Sequence, residues 1–208
     1  MSQPRRRGRS RIATSSSFPV DDYLRAVLAT PGLTALRDLD RAREMLWEDA
    51  LRAVQLVERF EGPIADVGSG GGSPGIPLAV ALPDRAVTLL DAERRKCDFL
   101  RQWAPPNAAV VWGRAEEQPV ESFGVALAKA LAQPPVAAEW CLPLVRVGGA
   151  VILWTGPTAE LAVIAAVSAR LGGGTPEDHD GLVVIPKLEH TPPGFPRRAG
   201  VAKRRPLA

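Results

Sequence analysis

Residues 66–77, Asp-Val-Gly-Ser-Gly-Gly-Gly-Ser-Pro-Gly-Ile-Pro, restrict the fold more than any other stretch of this 208-residue chain. An apolar run ends in the carboxylate of Asp66, a glycine-rich bend follows, and a new apolar segment opens at Ile76-Pro77-Leu78-Ala79-Val80. Glycine takes positive φ without steric cost and lets a ligand lie against bare backbone. Proline at 77 fits a helix only in its first turn, where the missing N–H would be unpaired anyway. Strand, ligand loop, helix is the opening unit of a nucleotide-binding α/β fold.

The type of nucleotide follows from the residues around the glycines. Gly70, Gly72 and Gly75 satisfy G-x-G-x-x-G, and Asp91 follows Gly70 by 21 residues, so a dinucleotide is permitted. Two features oppose it. The carboxylate of Asp66 would repel a pyrophosphate but can hold an ammonium group, directly or through water. Pro74 and Pro77 interrupt the helix N-terminus that a pyrophosphate would need. A cationic cofactor with adenosine at one end and an amino acid at the other fits better, and S-adenosylmethionine has that form.

The rest of the chain supplies the alternation such a fold requires. A short helix is expected over about 18–29, ended by Pro31-Gly32. From Asp38, Leu39, Ala42, Leu46, Ala50, Ala53, Val54 and Val57 recur at three and four, which predicts an amphipathic helix to about residue 60. Six strands are then predicted at 64–67, 86–90, 109–112, 125–127, 150–154 and 182–185, with helices over 76–82, 93–103, 135–145 and 158–171. This predicts an α/β domain with a mostly parallel sheet flanked by helices. Ligands bind at the carboxyl ends of such strands, so the loops from Gly68, Asp91, Gly113 and Ala128 should converge on one pocket.

Charge is distributed unevenly. The chain carries +3 overall, yet residues 1–17 carry +5 and residues 187–208 another +5, leaving −7 for the body. Two basic ends on an acidic body suggest a polyanionic partner. No run of 18 apolar residues is present, so no membrane span is expected. Cys97 and Cys141 lack metal-ligand spacing and read as reduced thiols of a cytoplasmic protein; with two histidines, a histidine-based metal site is not expected. The predicted organisation is a disordered basic arm over 1–17, a helical segment over 18–62, and the α/β domain over 63–208 with its basic segment 187–208.

Three motifs are more specific than the glycines. Asp66-Val-Gly-Ser-Gly with Pro74-Gly-Ile-Pro-Leu, then Leu89-Leu-Asp-Ala with Arg95-Lys-Cys-Asp-Phe-Leu100, then Gly113-Arg-Ala-Glu-Glu117, resemble the small-subunit (16S) ribosomal RNA guanine-N7 methyltransferases. These form the glucose-inhibited division protein B family. The similarity runs from about Leu33 through Phe195-Pro-Arg-Arg-Ala-Gly200 and Arg205-Pro-Leu207. It implies a Rossmann-like class I S-adenosylmethionine-dependent methyltransferase fold, with ribosomal RNA or the small ribosomal subunit as partner; a monomer is expected, though the sequence leaves the oligomeric state open. It also implies that Gly68 and Ser73 contact the cofactor, that Asp91 takes both ribose hydroxyls, and that Ala115 and Glu116 frame the adenine; Gly70, in the same loop, is a further cofactor-binding candidate. Asp91 can cap the following helix at the same time. Arg114, Arg197 and Arg198 are the candidate phosphate contacts, and no metal is called for.

The chain also departs from the family's pattern. Where the family has arginine then alanine after the fourth strand, Lys129-Ala130 stands here, which keeps the charge and loses the planar fork. Lys129 is thus the candidate catalytic residue and a further cofactor neighbour. Thr155 replaces a lysine after the fifth strand, and Leu46 replaces a histidine three residues before Asp49. The family usually has a larger apolar residue at Ser73. These changes leave open another substrate for the same fold, or an RNA-binding or assembly protein that retains the pocket.

Overall fold

Apolar residues alternate along every central strand of the computed structural model, which describes residues 18–156 and 159–208. The expected disorder of 1–17 lies outside the described residues. Ile64, Leu89, Val125, Leu127, Ala150 and Ile152 enter one core cluster, while Ala65, Leu90, Ala126, Ala128, Val151 and Leu153 enter a second. A strand sends successive side chains to opposite faces, so both faces of this sheet are covered.

The sheet has seven strands in the order β3-β2-β1-β4-β5-β7-β6: β1 Ile64–Val67, β2 Val87–Asp91, β3 Ala108–Trp112, β4 Phe123–Lys129, β5 Val145–Trp154, β6 Glu177–His179 and β7 Leu182–Pro186. Strands β1 to β5 pair in parallel, whereas β7 is antiparallel to β5 and to β6. The sequence predicted six strands. The seventh, Glu-Asp-His, is a polar edge strand and carries no apolar signal. Strands β4 and β5 are also longer than predicted at their amino ends.

Helix α1, Val20–Ala29, starts the described chain. The single helix predicted over 38–60 is broken into α2 Leu39–Ala42, a π-helical stretch Arg43–Glu48, α3 Asp49–Leu51, a turn at Arg52-Ala53, and α4 Val54–Val57. Three-and-four spacing cannot distinguish these windings. Then follow α5 Gly75–Ala81, α6 Arg94–Trp103, α7 Pro134–Cys141, α8 Leu161–Ala169 and α9 Val201–Arg204. Helix α7 ends earlier than predicted and passes into a 3₁₀ turn, Leu142–Leu144, containing Pro143. Tyr23, Leu24 and Val27 of α1 share the first core with α5 and the sheet, and Phe195 and Leu207 pack against the second. No helix among the described residues is long and apolar enough to cross a membrane.

Candidate cofactor and target site

Parallel β1 to β5 bring their carboxyl ends to one edge, and three adjoining clefts open along it. The first, of about 380 Å³, is lined by residues after β1, β2 and β3, including Gly68, Asp91, Gly113, Arg114, Ala115 and Glu116. Asp91 is buried; its Oδ2 accepts the Gly70 N–H at 2.9 Å and its Oδ1 accepts the Glu93 N–H at 2.8 Å. One carboxylate therefore ties the glycine loop to the start of α6. Each oxygen has further accepting capacity. Glu116 also holds the C-terminal segment, accepting the Gly200 N–H at 3.0 Å.

The second cleft, of about 330 Å³, shares Gly68, Lys96 and Ala130 with the first and adds Gly70, Ser73, Tyr23, Leu46 and Lys129. The glycine loop forms its floor. Gly68 sits at φ +73°, and at Gly75 a Cβ would lie 2.3 Å from Leu89 Cδ2 and 2.6 Å from Asp66 Oδ2. That closeness lets the Gly75 N–H reach Asp66 Oδ2 at 3.0 Å. Asp66 Oδ1 and Ser73 Oγ, both buried, have no hydrogen-bond partner among the described residues. Burial pushes the Asp66 carboxyl up to about 7, although the Ser69 hydroxyl and the Gly75 N–H favour its charged form.

The third and largest cleft, of about 750 Å³, is lined by Met45, Asp49, Arg52, Lys129, Trp154, Thr155, Asp178 and Asp180 among others. Lys129 belongs to this cleft and to the second. Its Nζ donates to Asp49 Oδ2 at 2.6 Å and to the Met45 carbonyl at 2.5 Å, and lies 6.0 Å from the Trp154 ring centroid. Asp49 Oδ1 takes Arg52 Nη1 at 2.8 Å, and the Asp49 carbonyl takes the Trp154 indole N–H at 3.3 Å. Burial raises the Asp49 carboxyl, but the bonds and charges of Lys129 and Arg52 outweigh it and hold the group below its ordinary value. Arg52 also reaches the Asp180 carbonyl, and the Thr155 N–H donates to the Gly181 carbonyl at 2.9 Å. The helical segment, β4, β5 and the β6–β7 turn are thereby joined around the cleft.

The family model for rRNA small subunit methyltransferase G, GidB, matches residues 21–167. The chain belongs to this family. It is similar to the ribosomal RNA small subunit methyltransferase G of a Synechococcus strain, with 37% identity covering 86% of this chain and 79% of the relative. The protein of that name from Thermotoga neapolitana is 36% identical, covering 89% of each chain. Among solved structures, a T. thermophilus 16S rRNA N2 methyltransferase in complex with AdoMet and guanosine superposes with a TM-score of 0.52 at 17% identity, over 70% of this chain and 40% of that one. That likeness concerns the fold alone, a Rossmann-like sheet flanked by helices.

Family membership makes S-adenosylmethionine the group to test against the site. Asp91 stands at the adenosine-sized cleft with accepting capacity left. Asp66 does not line a cleft itself, but it is bound to the glycine loop through the Gly75 N–H and holds a buried oxygen with no hydrogen-bond partner among the described residues, suited to an ammonium reached directly or through water. The residues fit the cofactor. Gly68, Gly70, Ser73, Asp91, Ala115, Glu116 and Lys129 all border the first two clefts. Lys96 and Trp140 do so as well; Lys96, although it lies within the Arg95–Leu100 motif, reads as solvated surface on a charged helix, and Trp140 reads as packing in an apolar one.

The cations of the basic segment are engaged to different degrees. Arg197 is no free phosphate contact: its Nε and Nη2 grip the buried carboxylate of Glu139 at 2.5 and 2.6 Å, and Nη2 also meets the Arg205 carbonyl at 2.9 Å. Lys187, counted with that basic end, is 1% exposed and donates to the Leu171 carbonyl at 2.6 Å and to Thr191 Oγ1 at 2.9 Å. Arg114 and Arg198 are exposed, and Lys203 joins Arg114 in lining the first cleft. Among the described residues no group of three or more His, Cys, Asp or Glu is placed to hold a metal.

Proposed function

We propose that the chain transfers the methyl group of S-adenosylmethionine to N7 of a guanine in small-subunit (16S) ribosomal RNA, acting as a cytoplasmic monomer. The observation that carries this reading is the position of Lys129, shared by a cleft floored by the glycine loop and a larger cleft open to solvent. The larger cleft would admit the target base, while the first two hold the cofactor. The division into a basic arm 1–17, a helical segment 18–62 and a methyltransferase domain 63–208 belongs to the same proposal.

S-adenosylmethionine supplies a methyl group already activated on a sulfonium. Guanine N7 offers a lone pair and carries no proton, so the protein needs no general base. Its task is to hold the two reactants in line, and such positioning is worth roughly 7–11 kcal/mol of barrier. Asp91 would hold the ribose, Asp66 would act on the ammonium directly or through water, and Ala115 and Glu116 would bound the adenine. Lys129 is placed to donate a hydrogen bond to the target base, with Asp49 and the Met45 carbonyl fixing its ammonium. Arg114 and Arg198 serve the phosphates.

One observation favours a second reading. The Lys129 ammonium already has two partners, and Thr155 is bound to the β6–β7 turn, so the polar groups facing the large cleft differ from the family's pattern. The same fold acting on another substrate, or a non-catalytic RNA-binding or assembly protein, would fit that difference. Transfer of labelled methyl to small-subunit RNA and to subunits lacking the modification, followed by nucleoside digestion, separates the readings. Label in 7-methylguanosine supports the proposal. Cofactor binding without transfer to either substrate refutes it.

A further inference from the structure

Trp112 has no part in the three clefts. It ends the edge strand β3 and is 57% exposed, the only exposed aromatic among the described residues. Isolated exposed apolar residues are commonplace, but this ring is held in place. Its indole N–H donates to the Ala92 carbonyl at 3.1 Å, and the Arg94 guanidinium lies over the ring, 5.6 Å from its centroid. Its surroundings are polar and cationic. Arg94 and Arg114 are exposed, and neither enters an ion pair among the described residues. The nearby acids are engaged: Glu93 pairs with Lys96 at 2.8 Å, and Glu117 accepts the Arg114 N–H at 3.3 Å. An apolar protein partner would need a wider apolar patch. A flat ring with one arginine over it and a second exposed arginine two residues along the chain matches an unpaired nucleobase with its phosphates.

We propose that Trp112, with Arg94 and Arg114, is a stacking platform for an unpaired base of the RNA substrate. The inference rests on the ribosomal RNA reading above and adds a contact outside the C-terminal basic segment. Its position supports it. Trp112 pairs in register with Asp91, and the two-residue alternation puts Trp112, Asp91 and Lys129 on the same face of the sheet. Trp112 and Lys129 stand three strand spacings apart, about 15 Å along the edge. An RNA strand presenting its target at Lys129 therefore reaches the platform with a nearby nucleotide.

The test compares wild type, Trp112→Ala and Trp112→Phe for dissociation constants toward small-subunit ribosomal RNA and toward S-adenosylmethionine. Loss of one base–aromatic stack should weaken RNA binding of the alanine variant by roughly 5- to 150-fold. Phenylalanine should recover most of that loss, and cofactor binding should stay within about twofold in both variants. Wild-type RNA affinity in Trp112→Ala overturns the platform, as does parallel loss of RNA and cofactor affinity or failure of phenylalanine to rescue. If wild type and Trp112→Ala bind the RNA equally tightly and both methylate it, the platform falls and the transferase reading stands. Absence of RNA binding by the wild-type protein, with no methyl transfer to assembled subunits either, overturns both.

Discussion

Replacing Asp66 with asparagine keeps the side chain's shape and removes its charge, which isolates the role assigned to this carboxyl. Burial raises it from 3.8 to about 7 in the folded chain, a gap worth roughly 4 kcal/mol against the ionised form. Because the folded value lies above the unfolded one, the associated stability is complete below about pH 4 and is lost as pH rises through 7. At pH 6 the free protein therefore holds a mostly protonated Asp66. An ammonium bound beside it favours the carboxylate, so cofactor binding at pH 6 should release close to one proton. Affinity for S-adenosylmethionine should rise about tenfold per pH unit between 5.5 and 7 and then level off. Asp66→Asn should bind with little pH dependence and, at pH 8, some 10- to 100-fold more weakly than wild type, the worth of one hydrogen bond to a charged group. Calorimetric titration in buffers of different ionisation enthalpy counts the protons directly. A wild-type affinity that is flat with pH, no proton release at pH 6, or the same slope in the asparagine variant would refute the assignment.

Lys129→Ala should lower single-turnover methyl transfer by about tenfold or more while leaving cofactor affinity within about threefold, since losing a donor at the reacting base costs more in the transition state than in cofactor binding; unchanged turnover removes its catalytic role. Arg197→Ala should destabilise the fold by about 3–5 kcal/mol in urea unfolding, because Glu139 is left as a buried, unpaired carboxylate. A change under about 1 kcal/mol would place that pair with ordinary surface bridges. RNA affinity should fall linearly with salt on logarithmic axes, reflecting the arginines and lysines that meet phosphates, and a flat response would leave the basic ends without that task.

The sequence made the framework readable because its signals are local. Asp66, the glycine loop, Pro77 and Asp91 each report their own backbone, and the strands containing Val67, Leu90 and Leu127 are apolar over short runs between turn residues. The misses have physical causes too. The π-helical stretch Arg43–Glu48 keeps the same apolar spacing as an α-helix, yet it is what presents the Met45 carbonyl to Lys129. The Arg197–Glu139 pair joins residues 58 positions apart, so composition suggested a free cation where the fold has a clamp. Trp112 and Trp140 look alike in sequence. Only their places on the edge strand and on α7 make one a surface ring and the other a wall of the adenosine-sized cleft.

The reversed direction of β7 has an effect that reaches past its hydrogen bonds. Running antiparallel to β5, it begins where β5 ends, with Leu182 opposite Trp154. The β6–β7 turn at Asp180-Gly181 therefore arrives at the same edge as the cofactor loops, where a parallel strand would have delivered its carboxyl end. This turn borders the largest cleft and neither of the other two. On the proposed reading, part of the choice of target thus lies in this turn, apart from the cofactor loops, and lengthening, recharging or exchanging it should change what is methylated without disturbing the methyl donor.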